Sequence, residues 1–242
     1  TTLFRSSYSN MRVAFGEELL RIGSLNEKLV VIDVDISTST CTDRFSEAFP
    51  TRALNVGIAE QNAVGIAAGL ATTGLMPLVS TYAVFASMRA CEQIRTTVCY
   101  PNLNVKVVAS HGGIQVGADG VTHQAIEDLS IMRSLPGMTV VHPSDAVSAK
   151  KALRAIMDIT GPAYMRLCRN DVPDIYGEND ELYIGQGKYW RSGPQDEATI
   201  IATGAMVSKA LYAADTLRRL DIPTCVVEIH TLKPLDRKII LE

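Results

Sequence analysis

Leu29-Val30-Val31-Ile32-Asp33-Val34 is an apolar run broken by a single acid, of strand length and too short for a buried helix. A half-exposed strand alternates apolar with polar residues. An unbroken run instead predicts a strand covered on both faces, as inside a parallel sheet. Reading outward, Leu78-Val79-Ser80-Thr81, Val105-Lys106-Val107-Val108-Ala109, Met138-Thr139-Val140-Val141 and Ala163-Tyr164-Met165-Arg166-Leu167 repeat the signal. Between them lie longer amphipathic stretches, read as helices over 11–22, 60–71, 85–99, 124–134 and 145–158, with Ser144 or Asp145 capping the last. Strands alternating with helices predict an α/β fold: a parallel twisted sheet with helices on both faces. Such sheets bind ligands in the loops beyond the carboxyl ends of their strands. Residues 35–39, 81–85, 110–123 and 169 onward are therefore the loops to inspect.

From Asn170 to Glu197 the texture changes to Pro, Gly, Asn and acidic residues, as in a linker or a surface excursion. A second α/β unit follows, with strands at 198–203 and 226–229 around a helix at 206–220. The expected division is 1–185 for the main domain and 186–242 for a smaller one. Two strands make a poor sheet, so the smaller domain reads as incomplete unless it completes itself on the first.

The chain has 242 residues, 47% hydrophobic and 20% charged, with a net charge of −3, which argues for neither nucleic acid nor an anionic membrane surface but leaves room for a local basic pocket for a small phosphate. The five cysteines, Cys41, Cys91, Cys99, Cys168 and Cys225, are odd in number and contain no C-x-x-C pair. Free thiols in a reducing compartment are expected rather than disulfides or zinc. Thr1-Thr2-Leu3-Phe4-Arg5-Ser6 lacks the apolar core of a signal peptide, and no run is long enough to span a bilayer, so the expected location is cytoplasmic.

The chemistry centres on Asn55-Val56-Gly57-Ile58-Ala59-Glu60-Gln61-Asn62-Ala63-Val64-Gly65-Ile66-Ala67-Ala68-Gly69-Leu70-Ala71, where one carboxylate opens a helix of very small residues. Such residues let another backbone approach closely, as at a subunit interface. Glu60 could simply favour the positive end of the helix. Its apolar surroundings argue for more: a buried Glu must pair or stay protonated, and a protonated Glu donates to a ring nitrogen.

Gly57-Ile58-Ala59-Glu60-Gln61-Asn62 resembles the segment that carries the activating glutamate of transketolases and of 1-deoxyxylulose-5-phosphate synthase. In order along the chain, Ser80-Thr81-Tyr82-Ala83-Val84-Phe85 resembles the aromatic pocket for the pyrimidine, and the loop from Ser110 to Gln124 resembles the transketolase loop over the substrate. Arg133 to Asp145 and Gly161 to Arg169 continue the likeness over nearly the whole chain. The resemblance implies a thiamine-diphosphate-binding fold of the pyrimidine type (1–185) followed by part of a transketolase C-terminal domain (186–242). It implies that Glu60 hydrogen-bonds N1′ of the aminopyrimidine, readying the ring to take the thiazolium C2 proton. Phe85 would stack on the ring with Tyr82 beside it, Met88 standing where the family usually has a third aromatic, and Asp35 would lie near the ring. Asp119 would read a substrate hydroxyl, and His123 would hydrogen-bond or shuttle protons near the reacting carbonyl. His111 and Arg169 would hold the phosphate, joined by Arg12 and Ser39, although a helix-surface arginine and a polar loop serine remain the other reading of those two. His142 and His230 read as structural.

The family holds the diphosphate and a divalent cation through Gly-Asp-Gly followed by an Asn; this sequence contains no Gly-Asp-Gly. The chain therefore resembles the C-terminal subunit of a split transketolase, with Mg2+ and the diphosphate held by a separate N-terminal subunit. Self-association through the pyrimidine domain, an α2β2 heterotetramer, and ketol transfer between sugar phosphates of the pentose phosphate kind are expected. A 1-deoxyxylulose-5-phosphate synthase-like fragment and a non-catalytic assembly module are the alternatives; the β subunit of a 2-oxo acid dehydrogenase fits the His-to-His loop less well.

Overall fold

The computed structural model describes residues 7–242; the segment Thr1–Ser6, read above for a leader, lies outside the described residues. In chain order the strands are β1 (Tyr8–Ser9), β2 (Leu29–Asp33), β3 (Ala53–Asn55), β4 (Met76–Tyr82), β5 (Lys106–Ser110), β6 (Thr139–Val141), β7 (Ala163–Arg166), β8 (Val172–Pro173), β9 (Lys188–Arg191), β10 (Ala198–Ala202), β11 (Thr224–Glu228) and β12 (Thr231–Lys233). The α-helices are α1 (Met11–Leu25), α2 (Ser37–Thr40), α3 (Asp43–Ala48), α4 (Glu60–Thr72), α5 (Cys91–Gln93), α6 (Asp128–Ser134), α7 (Ala146–Asp158), α8 (Met206–Arg218) and α9 (Arg237–Leu241). Seven strands form the main sheet in the order β12-β6-β7-β5-β4-β2-β3, parallel throughout except where β12 joins β6 antiparallel. All five residues of β2 are buried, as its unbroken apolar run requires.

Two apolar layers cover the sheet. One packs α4 and the segment after β4 against it through Ile32, Ala63, Ala67, Val79, Ile94 and Val107. The other packs α1 and α7 through Phe15, Leu19, Leu78, Val108, Leu153 and Met165. Each Val, Leu, Ile, Phe or Met side chain among these, fully buried, contributes about 1.5–3 kcal/mol. One carboxylate organises the start of α7: Asp145 accepts from Ser148 N at 2.7 Å in a capping box, while its second oxygen accepts from Ile175 N at 2.7 Å and Tyr176 N at 2.6 Å. The cap thus also anchors the chain as it leaves the main lobe.

The structure departs from the expected elements in three places. The segment 85–99 is helical but not regular, because wide π-turns at Phe85–Arg89 and Ile94–Cys99 flank α5. The helix expected from Gln124 begins at Asp128, since 124–127 stay with the preceding loop. The small lobe has a three-stranded sheet, β10-β11-β9, and β12 leaves it to become the edge of the main sheet. Strand β9 lies inside the stretch that reads as linker, where Gly and Pro flank a short aromatic strand. The five cysteines are all free, and no helix among the described residues is long and apolar enough to cross a membrane.

Candidate active site

Strands β7, β5, β4 and β2 are neighbours in the middle of the sheet, and their carboxyl ends carry the four loops named from topology. Those loops build two poles of one trough. The first pole begins at Gly57, whose positive φ of 71° turns the chain into α4. Glu60 then falls at the first position of that helix, with only 2% of its surface exposed. Its Oε1 accepts from the Thr81 hydroxyl at 3.3 Å and its Oε2 from Arg89 Nη1 at 2.7 Å. Of the two states open to a buried glutamate, the structure thus shows pairing. Phe85 and Tyr82 lie near-parallel with centroids 6.1 Å apart, and His123 stands edge-on to Phe85 at 5.3 Å. The His123 Nδ1 is 3.1 Å from the Thr122 hydroxyl.

The second pole centres on His111, at the end of β5 with φ +61° and 2% exposure. Its ring lies 4.0 Å from Tyr82, its Nδ1 is 2.9 Å from the Ser110 hydroxyl, and its Nε2 is 3.7 Å from Asp119 Oδ2. Burial, reinforced by the nearby Arg12 and Arg169 and opposed by Asp119, pushes its pKa down to about 4. The imidazole is therefore neutral at physiological pH, and the positive charge here belongs to the two arginines. Arg169 Nε is 3.9 Å from Asp119 Oδ2. A Cβ at Gly117 would come within 2.7 Å of Arg169 Nη1, so the glycine lets the loop close over the guanidinium. Arg12 sits in the first turn of α1, whose cap Asn10 accepts from Arg12 N at 3.0 Å; its Nη1 donates to Ser39 O at 2.7 Å. Its Nε is buried and has no hydrogen-bond partner among the described residues. The structure thus brings Arg12 and Ser39 into contact, through the serine's carbonyl.

Asp35 takes a positive φ of 70° after β2 and accepts from Asn55 Nδ2 at 3.0 Å, while Asn55 in turn accepts from Gly57 N at 3.0 Å. It is tied to the loop that opens α4 rather than to Glu60. The loop beneath it is shaped by buried Asp33, which accepts from Ile36 N at 2.9 Å and Thr42 at 3.2 Å and whose pKa burial raises. Met88 is half exposed, and the group that stands over Phe85 is Arg89, its Cζ 4.2 Å from the ring centroid. Sequence reasoning missed Arg89, which ends a π-turn that no residue of the segment marks. It also missed Arg166, which donates to Ala125 O at 2.8 Å and lies 3.2 Å from Asp128, fastening the substrate loop from below.

Fold and site define an α/β protein with a buried acid, a flat aromatic wall and two cationic side chains gathered at the carboxyl ends of its parallel strands. Comparison with known proteins carries this further. Residues 7–174 match the pyrimidine-binding domain of transketolase and residues 186–242 match the transketolase C-terminal domain. A Methanocaldococcus jannaschii protein named as a transketolase C-terminal section is 47% identical over 96% of this chain and 74% of its own length. A solved split-gene transketolase, described as an inactive β4 tetramer, superposes with a TM-score of 0.88 at 44% identity, over 97% of this chain and 76% of that one. Human transketolase is 36% identical over 96% of this chain, which spans 37% of the human enzyme's length. The chain belongs to the transketolase family of thiamine-diphosphate-dependent transferases, and it corresponds to the family's C-terminal section. The synthase alternative is not favoured.

Proposed function

We propose that this chain grips the aminopyrimidine end of thiamine diphosphate and the phosphate end of a sugar, and transfers a two-carbon ketol unit together with a separate N-terminal subunit. The observation that carries the proposal is the continuity of the two poles: Tyr82 lies 4.0 Å from His111 and near-parallel to Phe85, so ring pocket and sugar trough share one wall.

The residues present fit the cofactor's ring. Among the described residues Glu60 supplies the carboxylate buried against that wall, and Phe85 and Tyr82 supply flat faces. When bound, the cofactor supplies the nucleophilic carbon and the electron sink. Glu60 holds a proton at N1′, and Phe85 and Tyr82 fix the ring plane. His123, whose Nδ1 faces the Thr122 hydroxyl, is left with Nε2 free to hydrogen-bond or relay a proton at the reacting carbonyl. Neutral His111 and the side chain of Asp119 orient sugar hydroxyls. Arg169 and Arg12, with Ser39 alongside, take the phosphate. Asp35, held by Asn55 in the loop that opens α4, is assigned to the surroundings of the ring.

A hard divalent cation needs several oxygen ligands besides the phosphates. Among the described residues no group of three or more His, Cys, Asp or Glu side chains is placed to hold a metal ion. We assign Mg2+ and the diphosphate to the partner subunit because the sequence contains no Gly-Asp-Gly, the motif through which the family holds them. Self-association is assigned to α4, where Gln61, Gly65 and Gly69 leave an exposed, smooth face, and an α2β2 heterotetramer is the proposed assembly. The functional division falls at 185/186, and the proposed setting is cytoplasmic interconversion of pentose phosphates.

The test is calorimetry of thiamine diphosphate with Mg2+, on the chain alone and mixed with an N-terminal transketolase subunit. Tight binding and ketol transfer are expected only in the mixture. Tight binding by the chain alone would show that no half-site is missing, and a mixture that assembles without turnover would favour a non-catalytic module.

A further inference from the structure

Arg89 already fills the position that a flat nitrogen heterocycle would take between Glu60 and Phe85. Its Nη1 donates to Glu60 Oε2 at 2.7 Å while its Cζ lies 4.2 Å from the Phe85 ring centroid. A guanidinium and an aminopyrimidine share the relevant chemistry: both are planar and delocalised, both carry N–H groups on an edge, and both stack on an aromatic face. The two partners of the pair are unequal. Glu60 is fixed by the first turn of α4, is 2% exposed, and has its other oxygen held by Thr81. Arg89 is the last residue of the π-turn Phe85–Arg89, and its side chain is 42% exposed. A long, half-solvated side chain leaves its place at little cost, whereas a buried carboxylate left without a partner is costly. The movable member is therefore the arginine, and a partner for Glu60 has to be present before the cofactor arrives.

We propose that Arg89 is a resident placeholder: it stacks on Phe85 and neutralises Glu60 in the free chain, and the aminopyrimidine ring binds by displacing it. The proposal rests on the reading of Glu60 and Phe85 as the ring pocket. It explains why the pocket can be formed and buried in a chain that holds only one end of the cofactor. It also makes the pocket selective, because a ligand must replace both the stack and the ion pair to dislodge the arginine.

The experiment is saturation-transfer NMR with thiamine diphosphate at millimolar concentration on the full chain, its Arg89→Met and Arg89→Lys variants, and Glu60→Gln in each background. Arg89→Met is expected to raise the affinity about tenfold, the difference made by removing one modest competing contact. Arg89→Lys should fall between, since it keeps the charge but loses the flat stacking surface. Glu60→Gln should abolish the gain. Binding that is unchanged or weaker in Arg89→Met overturns the proposal, and so does an absence of transfer to every variant. Binding that is indifferent to Glu60→Gln while still enhanced by Arg89→Met sinks the assignment of Glu60 to the ring instead, so the two failures are separable. Should Arg89→Met not fold, the wild-type Arg89 Nε–H resonance decides. It is expected to lose the ring-current shift of Phe85 as ligand is added, and a resonance that does not move refutes displacement.

Discussion

Of the three glutamates buried among the described residues, Glu18, Glu60 and Glu228, the last two are hidden in opposite ways. Glu60, at the mouth of the main sheet, is 2% exposed but paired with a half-exposed cation and set beside an open aromatic wall. Glu228, at the end of β11, is 0% exposed and among the described residues forms no ion pair. Its Oε2 accepts from Trp190 Nε1 at 2.7 Å and from the Tyr176 hydroxyl at 2.9 Å. The Lys188 ammonium nearby is spent on Asp180 at 2.6 Å and lies over the Tyr176 and Trp190 rings. Tyr176 and Trp190 pack with Val147 of α7 and with Val207, Leu211 and Val226 of the small lobe, so Glu228 sits in the seam between the lobes. A Cβ at Gly204 would overlap the His142 ring, so the small lobe approaches that histidine closely. A buried acid given a replaceable partner is suited to a ligand; one walled in by neutral donors is suited to joining two parts of a fold.

The comparison breaks first at Glu60. Glu60→Gln in the assembled two-subunit enzyme is expected to lower ketol transfer by about 10²–10⁴-fold, the usual worth of a positioned proton donor, while subunit assembly and melting temperature stay near wild type. Retained turnover would put Glu60 in the same structural class as Glu228. The second effect is smaller and concerns pH. Burial raises the Glu228 pKa from 4.5 to about 6. A raised folded-state pKa gives stability that is fully present below the unfolded value and lost as pH rises through the folded one, here between 4.5 and about 6. The shift corresponds to about 2 kcal/mol. Glu228→Gln keeps an oxygen for Trp190 and Tyr176 but cannot ionise. Chemical denaturation of both chains across that window should show the variant gaining on the wild type by about 2 kcal/mol as pH rises. Parallel curves would mean that Glu228 is not the titrating group. Asp33 and Asp128, which burial also raises, are unchanged between the two chains and cancel from the difference.

The contrast between the glutamates also shows what could be read before the coordinates. Glu60 was legible because chemistry and pattern coincide at one place: a carboxylate opening a helix of Gly and Ala has few innocent explanations, and the loops that meet it follow from strand order alone. Arg89 was not legible, because its role depends on a π-turn, and nothing in Phe85-Ala86-Ser87-Met88-Arg89 marks that departure from a regular helix. Glu228 reads as one more residue in a β-branched strand; its burial depends on Tyr176 arriving from the linker and Trp190 from β9. Both contacts are set by tertiary packing, as is the transfer of β12 to the main sheet. Local periodicity carries strand and helix identity, whereas the choice of sheet for a short strand is made by the neighbours available to it.

The smallest effect sharpens the comparison at the other end of the trough. His111 is as buried as Glu60, but its neighbours Arg12 and Arg169 reinforce desolvation, so its pKa falls from 6.5 to about 4. A depressed folded-state value favours the neutral ring. Its contribution to stability is present above 6.5 and is lost as pH falls toward 4. The His111 Cε1 proton shift should therefore stay flat from about pH 8 to about pH 5.5, where an ordinary histidine moves through most of its range. Asp119 pulls the other way, its carboxylate 3.7 Å from Nε2. Asp119→Asn should carry the midpoint still lower without altering the melting temperature at neutral pH, where the ring is already uncharged. A normal titration near 6.5 would make His111 a third cation at this pole and return the phosphate contact to it. A flat one leaves the anion to Arg12 and Arg169, so that substitution of either arginine would weaken the hold on a phosphorylated sugar more than substitution of His111.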